Sequence, residues 1–329
     1  MSKTTIRAGS NIAFVKYWGV ADAQLHLPLS NSISMTLANA YTTTTVEWDS
    51  TGQMDEDQIE IDGVSFSGGA NQRTVAHLDR IRQVGRTTQR AKVVSQNNFP
   101  MASGIASSAS GFAALTQAGC MALGLDLSAA DLSRLARLGS GSASRSLFGG
   151  FVEWEKGHDD ESSVAHQIHP SSHWNLCDVV VIVNREEKKI SSASGHQLAH
   201  TSPLLQGRLD SLPQALTEVR QAINDKDLTR LGPFLEQDAL AMHAVMMTST
   251  PNLFYWRSGT VEIIHLVQEW RANGTEVYYT IDAGPNMHLI CEADTAQVIT
   301  PQLEALPYVQ QVIVSGPGEE PAVVEDALF

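Results

Sequence analysis

A chain of 329 residues, 43% hydrophobic and 18% charged, is long enough to bury a large core and to form two domains or one large one. Its formal net charge of −14, from 22 Lys and Arg against 36 Asp and Glu, argues against a nonspecific nucleic-acid or anionic-membrane surface, so an anionic ligand has to be held by a local concentration of donors. Cys120, Cys177 and Cys291 show neither metal-ligand spacing nor a disulfide framework, the opening lacks a signal-like pattern, and no stretch approaches ~20 apolar residues; we expect a cytoplasmic chain without a membrane span.

Taken in chain order, β-branched and alternating residues predict strands over 41–48, 58–61 and 91–95, with a helix over 72–84. Small residues then lead into a helix over 107–123, and Ser128 is placed to cap a second helix over 129–138. A strand apolar after its first residue, Asp178, follows over 178–183, then helices over 202–209, 212–224, 228–247 and 260–273. Strands return over 276–282, 288–291 and 309–315, with a helix over 292–305, while 54–57 and 157–163 read as exposed polar turns. The expected class is α+β, built from two-layer α/β sandwiches, with an N-terminal domain over 1–180 and a C-terminal domain over 181–329.

The most informative stretch is 97–111, from Asn97 through Ser103, Gly104, Ala106, Ser107 and Ser108. Small residues there let backbone approach a ligand closely at a helix start, where N–H groups favour an anion and Ser hydroxyls add donors or a Mg²⁺ ligand. This points to a nucleoside triphosphate, though without a GxxxxGK[ST] or strand-borne GxGxxG pattern; the alternative is close helix packing. A second small-residue stretch, 139–146, carries Ser140, Gly141, Ser142 and Arg145, and two anion-friendly loops with one guanidinium suggest two anionic groups side by side. Lys16 after an apolar first strand is hard to explain structurally. Asp282, at a strand end before Ala283 and Gly284, reads either as a turn cap or as a chemical group.

Asn11 to Gly19 (NIAFVKYWG), Leu27-Pro28 before Ser32-Ile33-Ser34, the Ser-rich loop, the segment 140–150 and Asp282-Ala283-Gly284-Pro285-Asn286 together resemble the mevalonate diphosphate decarboxylases, within the superfamily of galactokinase, homoserine, mevalonate and phosphomevalonate kinases. The likeness runs from about residue 7 to about 315, with five separated motifs in the family's order. It implies a two-domain kinase-like fold with ATP, Mg²⁺ and a mevalonate phosphate meeting in the cleft between domains, and a homodimer. The implied reaction phosphorylates a tertiary 3-hydroxyl, after which phosphate leaves as CO₂ is lost.

The same resemblance assigns roles. Asp282 lies beside the 3-hydroxyl, Arg145 holds the substrate carboxylate, and one of Lys188 and Lys189 stands near the reacting phosphate. Lys16, Tyr17, Arg73, Ser140, Gly141, Ser142 and Ser192 fall on substrate-side positions. Asn97, Ser103, Gly104, Ala106, Ser107 and Ser108 fall on ATP-side positions, with Ser107 the Mg²⁺ contact.

Two departures bear on the substrate. The family's KYWGK motif here ends in Val20, and the paired serines Ser191 and Ser192 are followed by Ala193 where bacterial members carry a basic or polar residue. Each charged hydrogen bond to a phosphate is worth roughly 1.5–3 kcal/mol, so losing two weakens a diphosphate by a few powers of ten. The expectation is therefore mevalonate 5-phosphate giving isopentenyl phosphate, with the 5-diphosphate as the alternative. Met101 and His196 also depart from the family's residues. A 3-kinase and a noncatalytic relative are further readings, against which the presence of both Asp282 and Arg145 argues.

Overall fold

The computed structural model describes residues 3–66, 71–99, 107–185 and 191–329. The first half comprises β1 (Thr4–Val15), the short pair β2 (Val20–Asp22) and β3 (Leu27–Pro28), β4 (Ser32–Trp48), β5 (Gln58–Ile61), β6 (Val64–Phe66), α1 (Gln72–Gly85), β7 (Ala91–Asn97), α2 (Ser107–Ala122), α3 (Ala129–Gly139), β8 (Phe151–Trp154) and β9 (Ala165–His169). The second comprises β10 (Leu176–Ile182), α4 (Ser192–Leu198), α5 (Leu205–Asp225), α6 (Leu228–Thr248), α7 (Ser258–Ala272), β11 (Tyr278–Ile281), β12 (Met287–Glu292), α8 (Ala293–Glu304), β13 (Gln311–Ser315) and β14 (Ala322–Val323). The class is the mixed α/β one that the sequence suggests.

Among the described residues the first sheet has the order β14-β1-β4-β7-β5-β6, with β8 beside β4 and β9 beside β8. β4 is long enough for one of its edges to serve two neighbours: Ser32–Met35 pairs with β8 and Thr42–Trp48 with β7. The threonine run that marks β4 in the sequence suits a strand whose hydroxyls find partners on both sides, at 2.9 Å between Thr5 and Thr45, 2.9 Å between Thr44 and Ser95 and 2.6 Å between Thr42 and Ser110. Helices α1 to α3 cover one face around Ile6, Val46, Leu78, Phe112 and Leu135.

The second sheet is antiparallel in the order β11-β12-β10-β13. Its central β10 is buried throughout, Asp178 included, because both faces are covered: Leu176, Val180 and Ile182 join the core built by α5 and α6, while Cys177, Val179 and Val181 face α7 and α8. The α5–α6 hairpin also packs on Ile12, Phe14 and Val15 of β1, so one core joins the two sheets. Sheet membership changes between β9 and β10, ahead of residue 180, and the chain returns to the first sheet at β14, antiparallel to β1.

Two local expectations change. The two helices expected over 202–224 are one, α5, which runs through Pro213. Proline there removes only one ladder donor, and burial of Leu212, Ala215 and Val219 carries the helix past it. The turn expected at 54–57 is not wholly exposed, because Asp57 is buried in an ion pair with Arg82 of α1 and accepts the Ala91 N–H at 2.8 Å. The short strands β8 and β9 go unmarked in the sequence because neither FVEW nor AHQIH alternates apolar with polar residues. Among the described residues no helix is long and apolar enough to cross a membrane.

Candidate active site

Lys16 follows the last residue of β1, and its side chain is 2% exposed. An ammonium so buried needs a counter-charge. Its Nζ donates to Asp282 Oδ1 at 2.6 Å, the carboxylate coming from the residue that follows β11 in the other sheet. His243 of α6 donates from Nε2 to the Asp282 carbonyl at 3.1 Å, and burial keeps that imidazole neutral by lowering its pKa to about 4.

Arg145 lies in a 3₁₀ turn, Gly141–Leu147, with its guanidinium buried. It donates to Ser32 Oγ at 2.5 Å and Asn11 Oδ1 at 3.0 Å, and its Nε has no partner among the described residues. No carboxylate of the described residues lies within ion-pair distance of it. Burial lowers its pKa to about 10, and the charge of Asp282 pulls it partly back. Asn11 is turned toward it by donating to Ser146 Oγ at 2.8 Å and the Ser142 carbonyl at 3.2 Å. A guanidinium held open by neutral acceptors in this way is suited to an incoming carboxylate.

Hydroxyls form the neighbouring wall. Ser108, in the first turn of α2, lies 3.2 Å from Ser140, which lies 3.4 Å from Ser142. Ser107 precedes it, half-buried at the head of the described part of α2. The Tyr17 ring is packed on Gly141, where an added Cβ would stand 2.7 Å from a Tyr17 ring carbon; only glycine lets the ring lie against this backbone. Tyr17 meets Trp154 edge-on at 4.8 Å and stacks on His196 of α4 at 4.1 Å, and burial pushes its hydroxyl pKa well up. His196 Nδ1 accepts the Gly19 N–H at 3.1 Å, which leaves its ring proton on Nε2, and burial lowers its pKa to about 3.

The structure thus gathers Lys16, Tyr17, Ser108, Ser140, Gly141, Ser142, Arg145 and Asp282 of the residues expected from sequence. Arg73 lies beside them, donating to the Gly139 carbonyl at 3.1 Å with its guanidinium 5.2 Å from the Phe112 ring centre. Ser192 opens α4, the helix that carries His196. The Asn97 side chain is engaged with Asp62 at 2.9 Å and Thr42 at 2.6 Å. Ser103, Gly104, Ala106, Lys188 and Lys189 lie outside the described residues, as does Met101. Val20 pairs with Pro28 in the β2–β3 ribbon, and Ala193 is exposed on α4.

Sequence reasoning missed Asn11 and Ser32 as partners of Arg145, and His243, Arg208 and Asp238 as partners of Asp282 and Lys16. Asn11 had a signal, a polar residue inside an apolar strand; the others, scattered along charged helices or a serine-rich strand, had none. Among the described residues no three His, Cys, Asp or Glu side chains gather as a metal site. An ammonium, a carboxylate and a guanidinium side by side can orient a hydroxyl, take its proton and hold an anion next to it.

Comparison with known proteins places the chain. Residues 8–165 match the model of the diphosphomevalonate decarboxylase-like N-terminal domain, and residues 178–323 match that of the mevalonate 5-diphosphate decarboxylase C-terminal domain. The human diphosphomevalonate decarboxylase is 36% identical over 316 residues, which cover 90% of this chain and 78% of that protein. Among solved structures, MDDEF in complex with MVAPP, AMPPCP and magnesium superposes with a TM-score of 0.92 at 40% identity, covering 98% of this chain and 99% of that one. The mevalonate diphosphate decarboxylase from Enterococcus faecalis, solved for its mevalonate diphosphate mediated ATP binding mechanism, gives 0.90 at 40% with the same coverage. Two domain models in tandem, a relative 36% identical over 78% of its length and solved structures covered to 99% leave one conclusion: the chain belongs to the diphosphomevalonate decarboxylase family.

Proposed function

We propose that the chain catalyses the ATP-dependent decarboxylation of mevalonate 5-diphosphate to isopentenyl diphosphate, ADP, phosphate and CO₂. The observation that carries this reading is the 2.6 Å contact between Lys16 and Asp282, made across the two sheets beside the open guanidinium of Arg145. Asp282 orients the 3-hydroxyl and takes its proton as the oxygen attacks the γ-phosphorus. Lys16 holds Asp282 as the carboxylate. Arg145 grips the substrate carboxylate so that the bond to it lies ready to break; its electron pair becomes the alkene as the 3-phosphate leaves and CO₂ departs. Ser140, Ser142, Tyr17, Arg73 and Ser192 receive the phosphorylated end of the substrate, and Ser107 and Ser108 receive the nucleotide phosphates, with Asn97, Ser103, Gly104 and Ala106 on the nucleotide side and Lys188 or Lys189 near the reacting phosphate.

Mg²⁺, when bound, supplies positive charge between the phosphates. The oxygen donors Ser107 and Ser108 at the head of α2 fit an ion that takes few protein ligands and completes its shell with phosphate and water. The reading extends to a cytoplasmic homodimer, for which light scattering of the purified chain is the check.

The relatives are named for the diphosphate, which favours it over the monophosphate expected from Val20 and Ala193. Mevalonate 5-phosphate stays as a second reading on one observation: an apolar residue stands at position 20 where the motif carries a cation, and the adjoining Gly19 N–H is already taken by His196. The deciding experiment follows ADP and CO₂ release with ATP and Mg²⁺ on mevalonate, its 5-phosphate and its 5-diphosphate. Preference for the diphosphate supports the reading, and preference for the monophosphate supports the second. ADP without CO₂ would make the chain a kinase, and no turnover on any of the three would refute catalysis.

A further inference from the structure

The ladder between β1 and β4 stops at Val15, and the two backbone groups of Lys16 are met instead by an ion pair. The Lys16 N–H donates to Asp238 Oδ2 at 2.6 Å, and the Lys16 carbonyl accepts from Arg208 Nη2 at 2.8 Å. Arg208 closes the ring on Asp238 Oδ1, at 2.9 Å from Nη2 and 3.2 Å from Nε. The two side chains are 1% and 3% exposed. Charges so buried are costly to desolvate, and an apolar pair of similar volume commonly serves stability as well or better. What an apolar pair cannot do is satisfy both backbone polar groups of one residue. Arg208 belongs to α5 and Asp238 to α6, and α6 also carries His243, the donor to the Asp282 carbonyl. One helix therefore grips the backbone on both sides of the Lys16–Asp282 contact.

We propose that Arg208 and Asp238 are positioning residues for the reaction: by fixing the Lys16 peptide against α5 and α6 they hold its ammonium on the Asp282 carboxylate. The inference rests on the decarboxylase reading above. It predicts that the ion pair acts through Lys16, so its loss and the loss of the ammonium should not compound.

The test is a set of double-mutant cycles on the full chain, with kcat and KM read from ADP and CO₂ release on the preferred mevalonate phosphate, and with single turnovers at excess enzyme for the slowest variants. Asp238→Asn and Arg208→Lys should each lower kcat by roughly 10- to 100-fold, with KM for ATP and substrate moving less than about threefold. In a Lys16→Met background the same changes should cost less than about twofold. Fold losses that multiply in the double variants, or an unchanged kcat in folded single variants, would overturn the proposal. So would failure of both single variants to fold, since the pair would then be a folding element. A wild-type chain inactive on every mevalonate derivative would instead remove the decarboxylase reading, and this inference with it.

Discussion

Acidification should destabilise the fold well before its carboxylates are protonated, because burial keeps three imidazoles, His77, His196 and His243, neutral. His77 donates from Nε2 to Thr116 Oγ1 at 2.7 Å, His243 donates to the Asp282 carbonyl, and neither ring is more than 1% exposed. Burial lowers the pKa values of His77 and His196 to about 3 and that of His243 to about 4, from an ordinary value near 6.5. As pH falls through 6.5 the unfolded chain protonates all three rings while the folded chain protonates none, so the unfolded state binds more protons. Stability is fully present above that pH and is lost as pH falls toward the folded pKa values. The slope is about 1.4 kcal/mol per pH unit for each ring, which by pH 4.5 amounts to about 2.5 kcal/mol each, against a total net stability of roughly 5–15 kcal/mol. Urea midpoints measured from pH 8 to pH 4.5 should be level above neutrality and then fall steeply. His77→Gln, which can still donate to Thr116, should take away about a third of the slope. A midpoint that stays level between pH 7 and 5, or a slope indifferent to His77→Gln, would refute the reasoning.

Two substitutions test the walls of the site. Arg145→Lys keeps a charge but cannot reach both Ser32 and Asn11, leaving a buried acceptor unmet at about 1–3 kcal/mol; kcat/KM should fall by roughly 100-fold or more while ATP affinity is retained, and kinetics within threefold of wild type would remove Arg145 from its role. Gly141→Ala places a methyl 2.7 Å from the Tyr17 ring and 3.0 Å from Trp154, a clash worth about 1–3 kcal/mol; thermal melts should show the loss, KM for the phosphorylated substrate should rise, and unchanged values would mean the Tyr17 ring is not confined there.

Much of this site could be read from the chain because its parts are short and local. Lys16 stood out as a lysine closing an apolar strand, Arg145 as a lone cation in a run of small residues, and Asp282 as an acid at a strand end before a turn; the structure adds that the first and last touch. Arg208, Asp238 and His243 could not be read, because charged residues on a long helix look like a solvated face until the helix is known to lie between two sheets. Arg208 meets a peptide 192 positions away, and no local pattern encodes such a contact. The same limit explains α5: Pro213 reads as a break from local rules, and only burial against the shared core keeps the helix continuous. The substrate inference from Val20 failed to carry the main reading for a related reason, since two missing donors say nothing of what the rest of the site supplies.

The most direct test of the account is Asp282→Asn, assayed for ADP and CO₂ with ATP, Mg²⁺ and the preferred mevalonate phosphate, alongside calorimetric binding of that substrate. If the Lys16-held carboxylate handles the 3-hydroxyl, substrate affinity should stay within about threefold while ADP and CO₂ release fall together by roughly 1,000-fold, on the order of 4 kcal/mol of transition-state stabilisation. Turnover within tenfold of wild type in a folded Asp282→Asn variant would contradict it.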